Sequence, residues 1–165
     1  MWGKTKTKKS PVEAGSHAPS LRLKSLAGAA EPSLQEILAN GPALLAFYKV
    51  SCPVCQLAFP YLERLSASAS LQIVGISQDD DSSTTAFNQR FGVTFPTLLD
   101  QSAAGYPASN AFAITSVPSL FLVETDGGIS KSFSGFSKRD FEALGQRAGV
   151  QIFRPEDNVP EWKPG

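Results

Sequence analysis

Both cysteines of the chain fall within four residues, Cys52-Pro53-Val54-Cys55. Two thiols at that spacing can close a small disulfide ring with little backbone adjustment. They can reopen it by passing the bond to another thiol pair. The apolar run Ala43-Leu-Leu-Ala-Phe-Tyr48 ahead of them reads as a strand, and Gln56 to Ala69 reads as a helix. A Cys-x-x-Cys at a strand-to-helix junction is a dithiol redox motif. The attacking species in disulfide exchange is the thiolate, and a free cysteine ionises near pH ~8.5. Unpaired N–H groups and the dipole at a helix start stabilise an anion. Cys52 stands where that effect is largest, and Cys55 lies one turn deeper. The expected cycle therefore has Cys52 attacking a substrate disulfide and Cys55 resolving the mixed disulfide. Pro53 suits the first helical position, where its missing N–H would have had no partner.

Rival chemistries find less support. A zinc or iron–sulfur site wants four N or S ligands, and the chain offers two cysteines and the single histidine His17. No metal and no cofactor are expected. An inert buried pair of cysteines is the structural alternative. His17 reads as a surface or packed histidine. Ser77-Gln-Asp79-Asp-Asp81 reads as a strand-end loop with capping side chains, and Glu63, Arg64 and Arg90 as solvated helix positions. Nothing resembles a phosphate loop or a hydrolase triad.

At 165 residues the chain suits one domain. Its 42% hydrophobic and 18% charged residues fit a soluble globular protein, and a formal net charge of zero gives no general attraction to nucleic acid. No apolar run approaches the ~18 residues of a membrane span. The basic start, Met1 to Ser10, leads into Pro11-Val-Glu-Ala-Gly15 instead of the apolar region of a secretory signal, so a cytoplasmic location is expected. The expected organisation is a flexible basic tail over 1–13, a domain over 14–153 and an irregular tail over 154–165.

The elements that position the cysteines can be read in order. Leu21 and Leu23 alternate in a short edge strand. Ser33 followed by Glu36 is a capping box for a short helix that Asn40-Gly41 ends. The continuous apolar run Ala43–Tyr48 suits a central strand covered on both faces. Pro60 should kink the helix after the cysteines. Leu71–Ser77 is the next strand, Thr84–Phe91 a helix, Thr97–Leu99 a short strand and Ala108–Ala113 a helix or turn. Ser119–Val123 and Ile129–Phe133 form a hairpin about Thr125-Asp126-Gly127-Gly128, and Ser137 opens a last helix to Ala148. Phe47, Phe59, Phe87, Phe91, Phe95, Phe121 and Phe133 read as core. The order gives an α/β fold, a sheet with helices on both faces.

Several segments together resemble a known family. They are Gly15-Ser-His-Ala-Pro19-Ser-Leu, Phe47-Tyr-Lys-Val-Ser-Cys-Pro-Val-Cys55, Pro60, Val74-Gly-Ile-Ser77, Phe91-Gly-Val-Thr-Phe-Pro96, Ser116-Val-Pro118-Ser-Leu-Phe-Leu-Val123 and Asp126-Gly127. Over about residues 14–148 the chain resembles the thioredoxin superfamily, in particular its TlpA/ResA-like thiol–disulfide oxidoreductases and their AhpC/TSA-type peroxiredoxin relatives. The resemblance implies a thioredoxin-like fold with a central mixed sheet. It also implies catalytic Cys52 and Cys55, and a substrate surface made by Pro53, Val54, Val117 and Pro118. An X-Pro bond is cis in only about 5–6% of cases, so the residues alone give a trans proline; the resemblance implies cis. Its implied partners are protein or low-molecular-weight disulfides and an upstream dithiol donor, in a role in redox homeostasis and antioxidant defence. Three positions depart from the family's usual tuning groups. Ala46 replaces a buried acid, Ala58 a helix glutamate and Ser51 an aromatic residue, which points to an altered potential or slower turnover. Two alternatives stand beside this reading. A peroxidase would want Thr or Ser where Lys49 stands, with a supporting arginine. A redox-sensing interaction domain would use the disulfide state without turnover.

Overall fold

The computed structural model describes residues 10–165. The lysine-rich start, residues 1–9, lies outside the described residues. Residues 10–13 do not behave as a free tail: the Val12 N–H donates to the Phe112 carbonyl at 3.2 Å, and its side chain packs on the core.

Six strands make a mixed sheet. β1 (Lys24–Ser25), β4 (Thr97–Leu99), β3 (Gln72–Ser77), β2 (Ala43–Tyr48), β5 (Ser119–Val123) and β6 (Ile129–Ser134) lie side by side in that order. β2 runs parallel to β3 and antiparallel to β5, and all six of its residues are buried. That matches its near-unbroken apolar sequence, since a strand with neighbours on both edges and helices on both faces has no polar side. Alternate residues feed two cores. Leu44, Ala46 and Tyr48 meet α2 (Pro53–Leu65) and α5 (Lys138–Ala148), together with Phe87 of α3 (Asp81–Phe91). Ala43, Leu45 and Phe47 meet α1 (Leu34–Leu38) and α4 (Pro107–Ala111) with Phe112.

Local chemistry explains most boundaries. The Ser33 hydroxyl accepts the Glu36 N–H and starts α1. α2 runs through Pro60 as one helix. α3 begins three residues earlier than expected, because the Asp80 carboxylate accepts the Ser83 N–H at 2.8 Å and caps it. The Asp126-Gly127 turn closes the hairpin. Gly127 has φ +85, and a β-carbon there would lie 2.7 Å from the His17 ring, so only glycine fits. Five of the seven expected core phenylalanines are buried, while Phe91 and Phe133 are half-buried at its margins.

Residues 154–165 depart from the expected irregular tail. Arg64 on α2 donates to the Asp157 carboxylate at 2.6 Å and to the Ile152 carbonyl at 2.8 Å. Arg64 is therefore a tether, not a solvated helix residue. Farther on, β8 (Trp162–Lys163) pairs antiparallel with β7 (Phe136–Ser137).

Beneath the end of the sheet where β2 stops lies a buried polar chain. The Tyr48 hydroxyl donates to Asn88 Oδ1 at 2.8 Å, and Asn88 Nδ2 donates to Thr97 Oγ1 at 3.1 Å. Tyr48→Phe strands the Asn88 acceptor, and the expected loss is about 1–3 kcal/mol. Urea unfolding should show a lower midpoint at unchanged slope; an unchanged midpoint would remove the chain from the stabilising interactions.

Candidate active site

The register of β2 decides what meets at its end. In the parallel pair Tyr48 faces Ser77, so two residues on Val50 comes beside Asp79. In the antiparallel pair Phe47 faces Ser119, which brings the segment before Ser119 alongside the residues after Tyr48. The active loop thus sits between the end of β3 and the start of β5.

Side chains fix that loop through its backbone. Asp79 Oδ2 accepts the Val50 N–H at 2.8 Å, Gln56 Nε2 donates to the Val50 carbonyl at 3.0 Å, and the Cys52 N–H donates to the Lys49 carbonyl at 3.2 Å. Asp79 and Gln56 were not anticipated as positioning residues. Only the parallel β2–β3 register could have singled out Asp79, and nothing in the sequence singled out Gln56.

Cys52 is the N-cap of α2, with φ −85 and ψ 114. Its sulfur accepts the Cys55 N–H at 3.3 Å, doing with sulfur what Ser or Asp does with oxygen. Pro53 fills the first helical position as expected. Cys52 is half-buried and Cys55 fully buried, and neither forms a disulfide in this structure. Burial pushes the Cys55 thiol far up, and the neighbouring Cys52 and the Asp79 charge push the same way against a partly offsetting Lys49 backbone contact. The asymmetry of the pair is thus one of access and ionisation together. Pro53 is exposed, and Val54 is half-buried beside the pair.

The Val117–Pro118 bond is cis, as the resemblance implies. The Cys52 thiol donates to the Val117 carbonyl at 3.4 Å, so Val117 and Cys52 touch. The structure therefore brings together Cys52, Cys55, Pro53, Val54, Val117 and Pro118 at one end of the sheet. It leaves the other singled-out residues elsewhere. Exposed His17 lies against the hairpin turn, Asp80 caps α3, and exposed Arg90 stacks on the Phe91 ring at 5.2 Å. Glu63 accepts from both the N–H and the hydroxyl of Thr94. Ala46 and Ala58 are both fully buried, so methyl groups fill the two positions where the resemblance implies a carboxylate. Among the described residues no three His, Cys, Asp or Glu side chains are grouped to hold a metal ion.

The AhpC/TSA family matches residues 14–132. The chain belongs to that family. It is similar to the thiol–disulfide oxidoreductase ResA of Geobacillus thermodenitrificans, 28% identical over 141 residues that cover 82% of this chain and 78% of that protein. Among solved structures, the thioredoxin domain of a thiol–disulfide oxidoreductase from Bacteroides vulgatus superposes with a TM-score of 0.71 at 18% identity, covering 83% of this chain and 99% of that one. The peroxidoxin BcpB of Mycobacterium tuberculosis superposes with a TM-score of 0.66 at 21% identity, covering 82% and 93%. Both likenesses show the thioredoxin-like fold. Family, fold and cysteine pair together make the chain a thioredoxin-like thiol–disulfide oxidoreductase. Among the described residues no helix is long and apolar enough to cross a membrane.

The burial of Cys55 sets a pH dependence. An unfolded cysteine releases its proton near pH ~8.5, while folded Cys55 holds it to higher pH. Below that point both states keep the proton and stability is flat. Above it only the unfolded chain ionises, so stability falls as pH rises. Urea unfolding of the reduced protein between pH ~8.5 and ~10 should show a slope approaching ~1.4 kcal/mol per pH unit from this group. The slope should flatten in Cys55→Ala, and an equal slope in both proteins would contradict the assignment.

Proposed function

We propose that Cys52 attacks the disulfide of a protein or small thiol compound and that Cys55 resolves the mixed disulfide. The observation that carries this reading is the contact of the half-buried Cys52 thiol with the Val117 carbonyl, one helical turn from a fully buried Cys55. A substrate disulfide reaching the pair meets Cys52 first. One S–S bond breaks and one forms: the Cys52 thiolate takes one substrate sulfur and the other leaves as a thiol. Cys55 then displaces the bound sulfur, giving the Cys52–Cys55 disulfide and a second thiol. An external dithiol donor returns the pair to the reduced state.

Val117 and Pro118, with Pro53 and Val54, supply the surface on which the substrate lies. Their clustering around Cys52 supports that role. We propose reduction in the cytoplasm as the working direction. The chain has no cysteine beyond the pair, which suits a compartment that keeps thiols reduced and builds few structural disulfides. The peroxidase alternative is less favoured, since Arg64 is committed to Asp157 and Ile152 and Arg90 stacks on Phe91.

The test is reduction of insulin by dithiothreitol with catalytic protein. Wild type should accelerate it, Cys52→Ser should fall to the uncatalysed rate, and Cys55→Ser should accumulate a mixed disulfide through Cys52. A wild-type rate equal to background would favour a sensing domain without turnover. Equilibration with glutathione then fixes direction: a potential near about −270 mV marks a reductase, one near about −120 mV an oxidant.

A further inference from the structure

The C-terminal segment reaches the redox end of the molecule. Its first part is firmly attached. Asp157 takes two bonds from Arg64, at 2.6 and 3.2 Å, and one from the Arg154 N–H at 2.7 Å, while Val159 packs on the core. Beyond Pro160 the attachment changes character. The Lys138 N–H donates to the Glu161 carbonyl at 3.0 Å, and Trp162 and Lys163 pair with Ser137 and Phe136. The chain then crosses Gly135, where a β-carbon would run into the Lys163 carbonyl. It arrives over Val117. A β-carbon on Gly165 would lie 2.5 Å from the Val117 carbonyl oxygen and 3.0 Å from its carbon.

That carbonyl is the one contacted by the Cys52 thiol. Among the described residues no backbone N–H donates to it, so it keeps a lone pair for a backbone partner beside Cys52. An extended polypeptide presenting a disulfide to Cys52 would run along this strip and use that acceptor. Residues 163–165 lie there already. A small disulfide has no such need, because it can reach the half-buried sulfur from the side of exposed Ser51 and Pro53.

The segment is also weakly held. All five residues from Glu161 to Gly165 are exposed, Trp162 at 60%. The Lys138–Glu161 ion pair spans 3.7 Å with Glu161 86% exposed, a geometry that contributes little. A two-residue ladder is marginal by itself. Such a segment opens without unfolding the body, and the Arg64–Asp157 tether keeps it at hand.

From this we infer that residues Trp162–Gly165 form a strap over the Val117 strip that sets substrate preference, admitting small disulfides freely and polypeptide disulfides only when it lifts. The inference rests on the Cys52 reading of the site given above. Two substitutions release the strap without touching the cysteines: Gly165→Ala, whose methyl meets the Val117 carbonyl, and Lys163→Pro, which disrupts the ladder. Single-turnover mixing of the reduced protein with insulin or with oxidised glutathione reads the effect, each turnover converting one dithiol and one disulfide into one protein disulfide and two thiols. The insulin rate should rise about fivefold in both variants as the competent state becomes fully populated, with the glutathione rate unchanged. Insulin rates equal to or below wild type, with glutathione exchange intact, overturn the strap and leave the oxidoreductase reading standing. Loss of glutathione exchange in the variants alone also overturns it, by making the segment part of the site. Absence of exchange in wild type overturns both.

Discussion

Strand β2 has a hydrogen-bonded neighbour on each edge and a packed core on each face, and the redox end of the molecule follows from where it stops. A strand so enclosed cannot slip by one residue without turning Leu44, Ala46 and Tyr48 into the wrong core. Its parallel partner delivers Asp79 to Val50, and its antiparallel partner delivers Val117 to Cys52. Neither contact needs a dedicated loop design. Both are consequences of register, carried two to five residues past the last ladder pair.

The helix that follows inherits its start from this arrangement. With the Val50 backbone held at both its N–H and its carbonyl, the chain enters α2 at a set angle, and Cys52 takes the cap position. One residue then serves two ends. As a cap its sulfur satisfies the Cys55 N–H, and as a half-buried thiol it donates to the Val117 carbonyl. A serine there would cap as well but could not exchange disulfides, so the helix start and the chemistry make the same demand on geometry and differ only in the atom required.

Much of this was legible in the sequence where an element's own residues decide it. The apolar runs of β2 and β5, the Ser33 cap, the Asp126-Gly127 turn and the Cys-x-x-Cys junction are local signals, and each stands where expected. What escaped was decided at a distance. Gln78–Asp81 offers several carboxylates that could cap α3, and only the fold selects Asp80 for the helix and Asp79 for the Val50 amide. Arg64 and Asp157 are 93 residues apart, so the tie that turns the tail back is not visible in either neighbourhood. Asp100 is a further case: a fully buried carboxylate reads as an error until its two oxygens are seen to accept the Ala108 and Ser109 N–H groups at the start of α4.

The methyl groups at Ala46 and Ala58 give the site its particular character. They share one buried core with Cys55, and the Tyr48 hydroxyl of that core offers no substitute. Tyr48 spends its proton on Asn88, and burial pushes its own ionisation far above the usual range. The Cys55 thiol is therefore held protonated by its surroundings, chiefly by burial. Half-buried Cys52 and fully buried Cys55 thus differ in access and in ionisation together, and the fold alone makes the two thiols unequal.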